Sequence, residues 1–520
     1  MRLDGNQIDL TKPITFKFNN KFYQGYHGDT LASALLASGV KLVGRSFKYH
    51  RPRGILSAGA EEPNALVEVG TGAYLQPNVR ATMVEIYEGL VAKSQNCWPN
   101  VNYDLGATAS LFSRILPAGF YYKTFMWPSQ AWLFYERFIR KAAGLGKASE
   151  LKDPDQYTQR HAHCDLLIAG GGLSGLAAAL NAKRSNLRVI IVDEQSSWGG
   201  FAKSESLEFD QIPICQWIQK TVDELSQAPH VTLLNRTTLS GYFDQNFLTA
   251  LERVRDHLPA GQNTQSPRQR FWKIRAKHVI LAQGAIERPL VFPQNDTPSI
   301  MMAGSVATYL KCYGVANAHS CLVYTNNNSA YQSAIELHHA GVQVTIADQR
   351  PDQEKNPHPL VKKAFSEGLV IHSSVYVDAC HGKKTLKNVS LKYFDQKEDS
   401  QTIEIACDLL AMSGGWVPSV HLFSQAKGKL KFAPDLHAFL PDICHQKLTS
   451  VGACNGIFNP LKAILHAQSS VQKIARTLGF KVADIETIKQ ARLLGQSVQS
   501  IYDFLPVWTN PIFTKSARYK

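Results

Sequence analysis

A glycine-rich turn between a predicted strand and a predicted helix is the segment best suited to chemistry. The run Gly170–Gly175, GGGLSG, fits the pattern G-x-G-x-x-G. In this pattern the first glycine makes a tight turn, the second lets the backbone approach a pyrophosphate, and the third lets helix and strand pack closely. The helix N-terminus adds positive potential for the phosphates. The turn therefore predicts a dinucleotide site.

An acidic pair follows this turn at the spacing that a ribose contact requires. Asp193 and Glu194 lie 23 and 24 residues beyond Gly170, directly after the predicted strand Arg188–Val192. An acid at the end of the second strand accepts hydrogen bonds from ribose hydroxyls, and its charge repels a 2′-phosphate. The sequence therefore predicts an adenine dinucleotide at this site, and leaves open whether it is NAD or FAD.

Two later segments resemble the remaining parts of a glutathione-reductase-like fold with two dinucleotide-binding units. The apolar run 278–289 ends in GAIERP, similar to the crossover A-T-G-x-x-x-R-P with Gln283 in place of threonine. The segment 450–456, SVGACNG, occupies the place of the last strand and helix N-terminus near the cofactor. The acid common in that last turn is missing, and Asn455 is the nearest polar residue.

A second βαβ unit is predicted at Cys321–Thr325, Ala330–Ala340 and Val342–Ala347. Its glycine positions hold Thr325, Asn327 and Ala330. A Cβ at these positions hinders the approach of a pyrophosphate, so we expect a structural copy without a docked nicotinamide. The sequence also has no CxxC pair that could receive electrons.

These motifs need an α/β framework, which the sequence predicts together with a smaller α+β domain of the β-grasp kind. That first domain combines a hairpin, Ile14–Phe18 with Phe22–Tyr26, and a helix, Leu31–Ser38. An aromatic segment then serves as a connector or as a contact between subunits. The predicted units are a ferredoxin-like domain 1–100, the aromatic connector 101–160, a dinucleotide domain in two parts at 161–300 and 406–478, an inserted Rossmann-like domain 301–405, and a tail 479–520.

Composition excludes several classes of protein. The chain has 520 residues, 44% of them hydrophobic and 19% charged, which is typical of a globular protein. The charge balance is 56 − 42 = +14, but no nucleic-acid-binding pattern accompanies it. No apolar run is long enough for a membrane span and no secretory signal is visible. Nine cysteines occur singly, which favours a reduced, cytoplasmic protein. The basic run Arg45–Arg53 is a candidate loop facing either a phosphate or another subunit.

Longer strings resemble the amino-terminal half of the α subunit of heterotetrameric sarcosine oxidase. The resemblance extends from about residue 10 to about residue 480. The strings that carry it are GDTLASALLA from Gly28, RSFKYHRPRG from Arg45, EPNALV from Glu62, AGFYYKTFM from Ala118, GAIERPL from Gly284 and MSGGW from Met412.

The resemblance implies an oxidoreductase subunit whose catalytic centre lies mainly on a partner. In that family a β subunit carries FAD and oxidises sarcosine, FMN lies between the α and β subunits, and oxygen is reduced to hydrogen peroxide. Small γ and δ subunits complete the complex, and the α subunit binds NAD and passes a one-carbon unit to tetrahydrofolate. No catalytic residue is assigned here. The NAD contacts taken from the motifs and the resemblance are Gly170, Gly171, Gly172, Ser174, Gly175, Asp193, Glu194, Gln195, Gly200, Phe201, Leu239, Gly284, Gly452 and Ala453.

The first domain departs from relatives that hold a [2Fe–2S] cluster, such as opine oxidase and hydrogen cyanide synthase subunits. Their cysteine positions fall here on Ser57, Glu62, Ala65 and about Thr82. Clusters of this kind need thiolates, so we expect no iron–sulfur cluster and no metal site. The folate domain of the longer family chain is also absent from this sequence. Two alternatives therefore stay open: a subunit of a related opine or secondary-amine oxidase, and a non-catalytic scaffold.

Overall fold

The protein is described from a computed structural model. It describes residues 2–112, 127–262, 265–316, 318–351, 358–394 and 402–498. The whole string AGFYYKTFM and the basic end of the predicted tail lie outside the described residues.

The first domain is a five-stranded sheet with one helix against it. The hairpin turns at Asn19 and Asn20, both with positive φ, a conformation that asparagine tolerates. Its helix, α1, starts with a capping box in which Thr30 and Ser33 bond each other's backbone N–H groups. Phe16 is among the core residues that join sheet and helix. The strands are β1 Asp9–Phe18, β2 Lys21–His27, β5 Leu66–Val69, β6 Gln76–Arg80 and β7 Val91–Ser94, in the order β2-β1-β7-β5-β6; β3 Gly44–Arg45 and β4 Pro52–Arg53 form a separate pair, and α1 is Leu31–Ala37.

A large sheet forms the dinucleotide domain. Its first strand, β8 Tyr157–Ala169, runs parallel to two neighbours, β9 Val189–Val192 and β15 Gln269–Leu281. The last six residues of β8 are buried, because side chains on its two faces pack into two hydrophobic clusters. The other strands are β9 Val189–Val192, β12 Val231–Leu234, β13 Thr237–Phe243, β14 Phe247–Arg253, β15 Gln269–Leu281 and β28 Leu448–Ser450, in the order β12-β9-β8-β15-β14-β13 with β28 beside β15. Its helices are α3 Leu173–Arg184, α4 Ile214–Ser226 and α9 Pro460–Leu478.

A second, parallel sheet forms the inserted unit. Buried apolar side chains fill its central strand, β18. The strands are β17 Ile300–Met302, β18 Ser320–Thr325, β19 Gln343–Asp348, β20 Val370–Ser373 and β24 Leu409–Ser413, in the order β17-β24-β18-β19-β20; β21 Val375–His381, β22 Asn388–Tyr393 and β23 Ile403–Ala406 form a small antiparallel sheet. Its helices are α5 Ala303–Tyr313, α6 Ser329–His339 and α7 Pro359–Ser366.

Two short strands join the sheets. The chain leaves the large sheet through β16, Ala285–Glu287, and returns through β25, Trp416–Pro418. These strands pair antiparallel, with Glu287 opposite Trp416. The remaining elements are β10 Leu207–Phe209, β11 Ile212–Pro213, β26 Leu430–Ala433, β27 Ala438–Pro441, β29 Ala491–Leu493, β30 Gln496–Ser497, α2 Trp132–Ala143 and α8 His421–Gln425. Among the helices described, none has both the length and the apolar character to cross a membrane. The predicted fold class, a ferredoxin-like β-grasp domain followed by an α/β dinucleotide-binding fold, is confirmed.

A buried ion cluster joins the end of the connector to the large sheet. The Asp155 carboxylate bonds the guanidinium groups of Arg255 and Arg268, the latter at 2.8 Å. Its side chain is 4% exposed. Arg268 also bonds the Asp256 carboxylate at 2.8 Å, whereas the ion-pair partner given for the buried Arg255 is Asp155. Removing the charge of Asp155 therefore leaves the buried Arg255 cation uncompensated.

We expect Asp155→Asn to lower the free energy of unfolding by about 3 kcal/mol or more, the usual cost of breaking a buried ion pair from one side. The neighbouring Asp153→Asn is the control, since Asp153 is exposed and its carboxylate accepts only from neutral groups close in the chain, the Tyr157 hydroxyl and the Asp155 N–H. Thermal and urea unfolding of both variants tests this. Equal stability of the two would contradict the role given to Asp155.

Candidate functional site

The glycine turn between β8 and α3 has the geometry of a phosphate cradle. Gly170 has a φ of 105°, and a Cβ on Gly175 would lie 1.9 Å from the Gly170 carbonyl oxygen. Only glycine fits such contacts. Gly172 is the N-cap residue of α3 and, having no side chain, makes no side-chain capping hydrogen bond. A Cβ built on Gly172 would meet open space. The N-terminal amides of α3 therefore face a space that an anion can enter.

The two acids after β9 have different surroundings. The Asp193 carboxylate accepts the Gly171 N–H at 2.6 Å and the Gln195 N–H at 2.8 Å. Burial raises its pKa, opposed by these two bonds. Burial also raises the pKa of Glu194, with the negative charge of Asp193 as the next cause. Asp193 thus holds the glycine turn against the end of β9. Contact of either acid with a ribose stays a prediction.

A cavity of about 240 Å³ opens in front of the turn and extends to the inserted unit. The predicted contacts on its wall are Gly172, Ser174, Phe201, Gly284 and Ala453. Gly170, Gly171 and Gly175 form the turn behind it. Gly452 packs closely against Ser174, since a Cβ on Gly452 would lie 2.2 Å from the Ser174 Oγ. Gly200 lies near the turn as well, and a Cβ on it would lie 3.1 Å from the Gly172 Cα.

Other predicted contacts lie away from this wall. The Gln195 carbonyl accepts the Arg236 N–H at 2.8 Å, at the end of β9. Leu239 pairs with Ala250 on β14 and packs against the hydrophobic cluster under the large sheet. Contact with a dinucleotide therefore stays a prediction for these residues.

Residues that the motifs did not single out form the far end of the cavity. The Glu287 carboxylate accepts the Gly304 N–H at 2.8 Å. Burial raises the pKa of Glu287 to about 7. The rings of Phe201 and Trp416 meet edge to face, with centroids 4.8 Å apart. Glu287 and Trp416 stand in the strings GAIERPL and MSGGW, but only the pairing of β16 with β25 brings them together.

In the inserted unit, side chains of the turn after β18 bond within the turn. The Thr325 hydroxyl donates to the Asn327 carbonyl at 3.1 Å. The Asn327 amide nitrogen donates to the Ser413 carbonyl at 3.1 Å, and its oxygen accepts the Ser329 N–H at 3.1 Å. The expectation that no nicotinamide docks here stays a prediction, and these bonds are its physical basis.

The basic run Arg45–Arg53 contacts its own chain. Arg51 and Arg53 both bond the carboxylate of Asp296, Arg51 at 2.6 Å. The Arg45 guanidinium donates to the Val101 carbonyl at 2.9 Å. This loop fastens the first domain to its neighbours, which weakens the alternative of a phosphate-facing loop.

The loop at the predicted cluster positions of the first domain is organised around a carboxylate. One oxygen of Glu62 accepts the backbone N–H groups of Leu56 and Ser57 at 2.9 and 2.6 Å. The other accepts those of Asn64 and Ala65 at 2.7 and 3.0 Å. Burial raises the pKa of Glu62, opposed by these bonds.

Comparison with known proteins identifies both halves of the chain. Residues 11–97 match the model of the 2Fe-2S iron-sulfur cluster binding domain, and residues 164–435 match that of pyridine nucleotide-disulphide oxidoreductase. The sarcosine oxidase alpha subunit from Rhizobium meliloti is 43% identical over 511 residues, covering 97% of this chain and 49% of that protein. Its namesake from Corynebacterium sp. strain U-96 is 34% identical, covering 92% and 45%. The chain thus spans about half the length of the curated relatives it matches.

A solved structure supports the fold. L-proline dehydrogenase from P. horikoshii superposes with a TM-score of 0.61 at 16% identity, covering 93% of this chain and 77% of that one. At this identity the likeness concerns architecture only.

The expectation of a cofactor set without an iron–sulfur cluster is wrong for the family of this domain, because residues 11–97 match the cluster-binding model. That expectation came from four positions only, whereas the match rests on the whole domain. Ser57, Glu62, Ala65 and Thr82 are not the thiolates that such clusters use. In the described ranges no three His, Cys, Asp or Glu side chains group as a metal site. The proposed function therefore uses no step through a cluster.

Alanine substitutions at two glycines of the turn distinguish an effect on folding from an effect on dinucleotide binding. Gly172→Ala places its methyl group in open space, so we expect normal stability but loss of bound dinucleotide, since the methyl group keeps phosphates from the backbone. Gly175→Ala drives its methyl group into the Gly170 carbonyl, so we expect loss of both. Thermal unfolding and the nucleotide content of each purified variant are the measurements. A Gly172→Ala protein that retains its nucleotide would refute the phosphate cradle.

Glu62→Gln places an amide N–H₂ against two backbone donors, so we expect a loss of about 1–3 kcal/mol in the free energy of unfolding. Glu61→Gln next to it is the control, because Glu61 is exposed. Unfolding of the two variants in urea compares them. If Glu62→Gln proved as stable as Glu61→Gln, the carboxylate would not organise the loop.

Proposed function

We propose a function from the premise that this chain belongs to the pyridine nucleotide-disulphide oxidoreductase family and is a homologue of the amino-terminal half of the sarcosine oxidase alpha subunit. The chain is then the NAD-binding subunit of a sarcosine-oxidase-type complex. The complex oxidises a C–H bond of the N-methyl group of sarcosine, and two electrons reduce oxygen to hydrogen peroxide. Hydrolysis of the imine leaves glycine and a one-carbon unit for tetrahydrofolate.

One observation carries this proposal: the glycine turn and the open amides of α3 lie at one end of a cavity, next to the strand β9 that Glu194 follows. The amides after Gly172 bind the pyrophosphate, and Ser174 lies beside it on the same wall. Glu194 accepts hydrogen bonds from a ribose, and its charge disfavours a 2′-phosphate. NAD supplies a nicotinamide ring able to exchange a hydride. The chain holds this ring beside Phe201 and Trp416 on the cavity wall.

The substrate is oxidised on a partner chain in this proposal. The sequence offers no CxxC pair, and the turn of the inserted unit is filled by its own side chains. Helix α2 exposes Leu133, Phe134 and Phe138 by 75%, 61% and 61%. Exposed aromatic side chains are common interface anchors, so α2 is a candidate contact with a flavin-carrying β subunit in a cytoplasmic complex that also has small γ and δ subunits.

A second candidate is a subunit of a related amine oxidase. An opine oxidase subunit from Rhizobium meliloti is 24% identical to this chain over 300 residues. The oxidative chemistry at a C–N bond would be shared, and the substrate would differ.

Nucleotide release tests the proposal. The purified chain, denatured in acid, should yield about one NAD per chain on chromatography, and the Gly172→Ala variant should yield none. FAD in its place would favour a flavoprotein relative, and an empty wild-type protein would favour a scaffold. Co-expression with a flavin-carrying partner should then give peroxide from sarcosine in preference to opines. The reverse preference would favour the second candidate.

A further inference from the structure

The topology of the large sheet fixes how a dinucleotide must lie in the cavity. Strand β8 ends in the glycine turn and has β9 on one side and β15 on the other. Glu194 follows β9, whereas Gly284 and Glu287 follow β15. A pyrophosphate held at the turn therefore directs one nucleoside toward Glu194 and the other along the cavity toward Glu287. If the adenosine lies at Glu194, as this site's motif requires, the nicotinamide end lies toward Glu287.

Three side chains meet at that far end around one glycine. A Cβ built on Gly304 would lie 2.9 Å from a Glu287 oxygen, 3.1 Å from the Phe201 ring and 3.1 Å from the Trp416 ring. The Trp416 Nε1 donates to the Ser329 hydroxyl at 3.0 Å, which fixes the ring. The absence of a side chain at Gly304 lets the carboxylate and both rings converge on the same part of the cavity wall.

The Glu287 carboxylate is bonded by neutral groups only, among the contacts given for the described residues. These are the Gly304 N–H and the Ser413 hydroxyl. Burial raises the pKa of Glu287 to about 7, with no cation among the causes. A carboxylate next to aromatic rings and without a cation is suited to a planar cationic ligand.

We propose that Glu287, with Phe201 and Trp416, is a specificity-determining group that makes this site prefer oxidised over reduced NAD. The inference rests on the proposed function, since it concerns the same bound dinucleotide. The oxidised nicotinamide ring carries a positive charge and the reduced ring is neutral. With a pKa near 7, Glu287 is partly protonated in the empty site, and a cationic ring bound beside it favours its ionised form. The resulting charge pair, in a site of low polarity, stabilises the oxidised complex selectively. The site thus retains NAD in the form that cannot donate a hydride.

The experiment measures binding of three probes, NAD⁺, NADH and ADP-ribose, to the nucleotide-free full chain by calorimetry. ADP-ribose lacks the nicotinamide and reports on the glycine turn alone. For the wild type we expect NAD⁺ to bind at least about tenfold more tightly than NADH, a factor equal to ~1.4 kcal/mol. For Glu287→Gln we expect this ratio to fall to about one, while ADP-ribose binding changes less than about twofold.

Glu208→Gln is the matched control, because Glu208 is exposed on β10 and the change removes the same charge away from the cavity. It should keep the wild-type ratio. An unchanged ratio in Glu287→Gln overturns the inference and leaves the proposed function intact if ADP-ribose still binds. Failure of all three probes to bind the wild type overturns the proposed function itself.

A second measurement does not depend on the variant folding. The nucleotide that copurifies with the wild-type chain, released under conditions that preserve both redox forms, should be NAD⁺. Recovery of NADH in equal or greater amount would overturn the inference even if Glu287→Gln could not be purified.

Discussion

The close approach of helix α3 to strand β8 is the constraint on which the rest of the structure depends. It exists only because Gly175 has no side chain where the Gly170 carbonyl lies. This approach brings the first amides of α3 to the edge of the sheet, where Asp193 fixes the turn through the Gly171 N–H. The first of the two carboxylates that the motif associates with sugar binding thus acts on the protein backbone, and the neighbouring Glu194 is the one proposed to meet the sugar.

The parts of the site that could be predicted from sequence are those whose chemistry is local in the chain. The turn Gly170–Gly175, the predicted strands on either side of it and the acidic pair lie within residues 165–194, so their spacing predicts their geometry. Spacing could not indicate which of two adjacent carboxylates would turn inward, since that depends on the hydrogen bonds made by Gly171 and Gln195. Leu239 is assigned to the site by resemblance; the structure places it on β13 against a hydrophobic cluster, and its contact with a dinucleotide stays a prediction.

The far end of the cavity could not be predicted from the sequence, for a different reason. Glu287 and Trp416 stand on opposite sides of an inserted unit, and only the antiparallel pairing of two three-residue strands places them face to face. Neither the hydrophobic periodicity of the sequence nor the spacing of its motifs can indicate such a contact. For the first domain, the sequence prediction relied too much on local residues. Four positions without cysteine led us to expect no iron–sulfur cluster, whereas residues 11–97 as a whole match the cluster-binding family.

The pairing of β16 with β25 has a mechanical consequence. Both covalent crossings between the large sheet and the inserted unit run through this one narrow ribbon. A twist of the ribbon would tilt the inserted unit and change the gap between Trp416 and the opposite wall. The glycine turn belongs to the stationary side, so the grip on the phosphates would persist while the ring end is covered or uncovered. Tethering and access would then be adjustable independently in one small protein crevice.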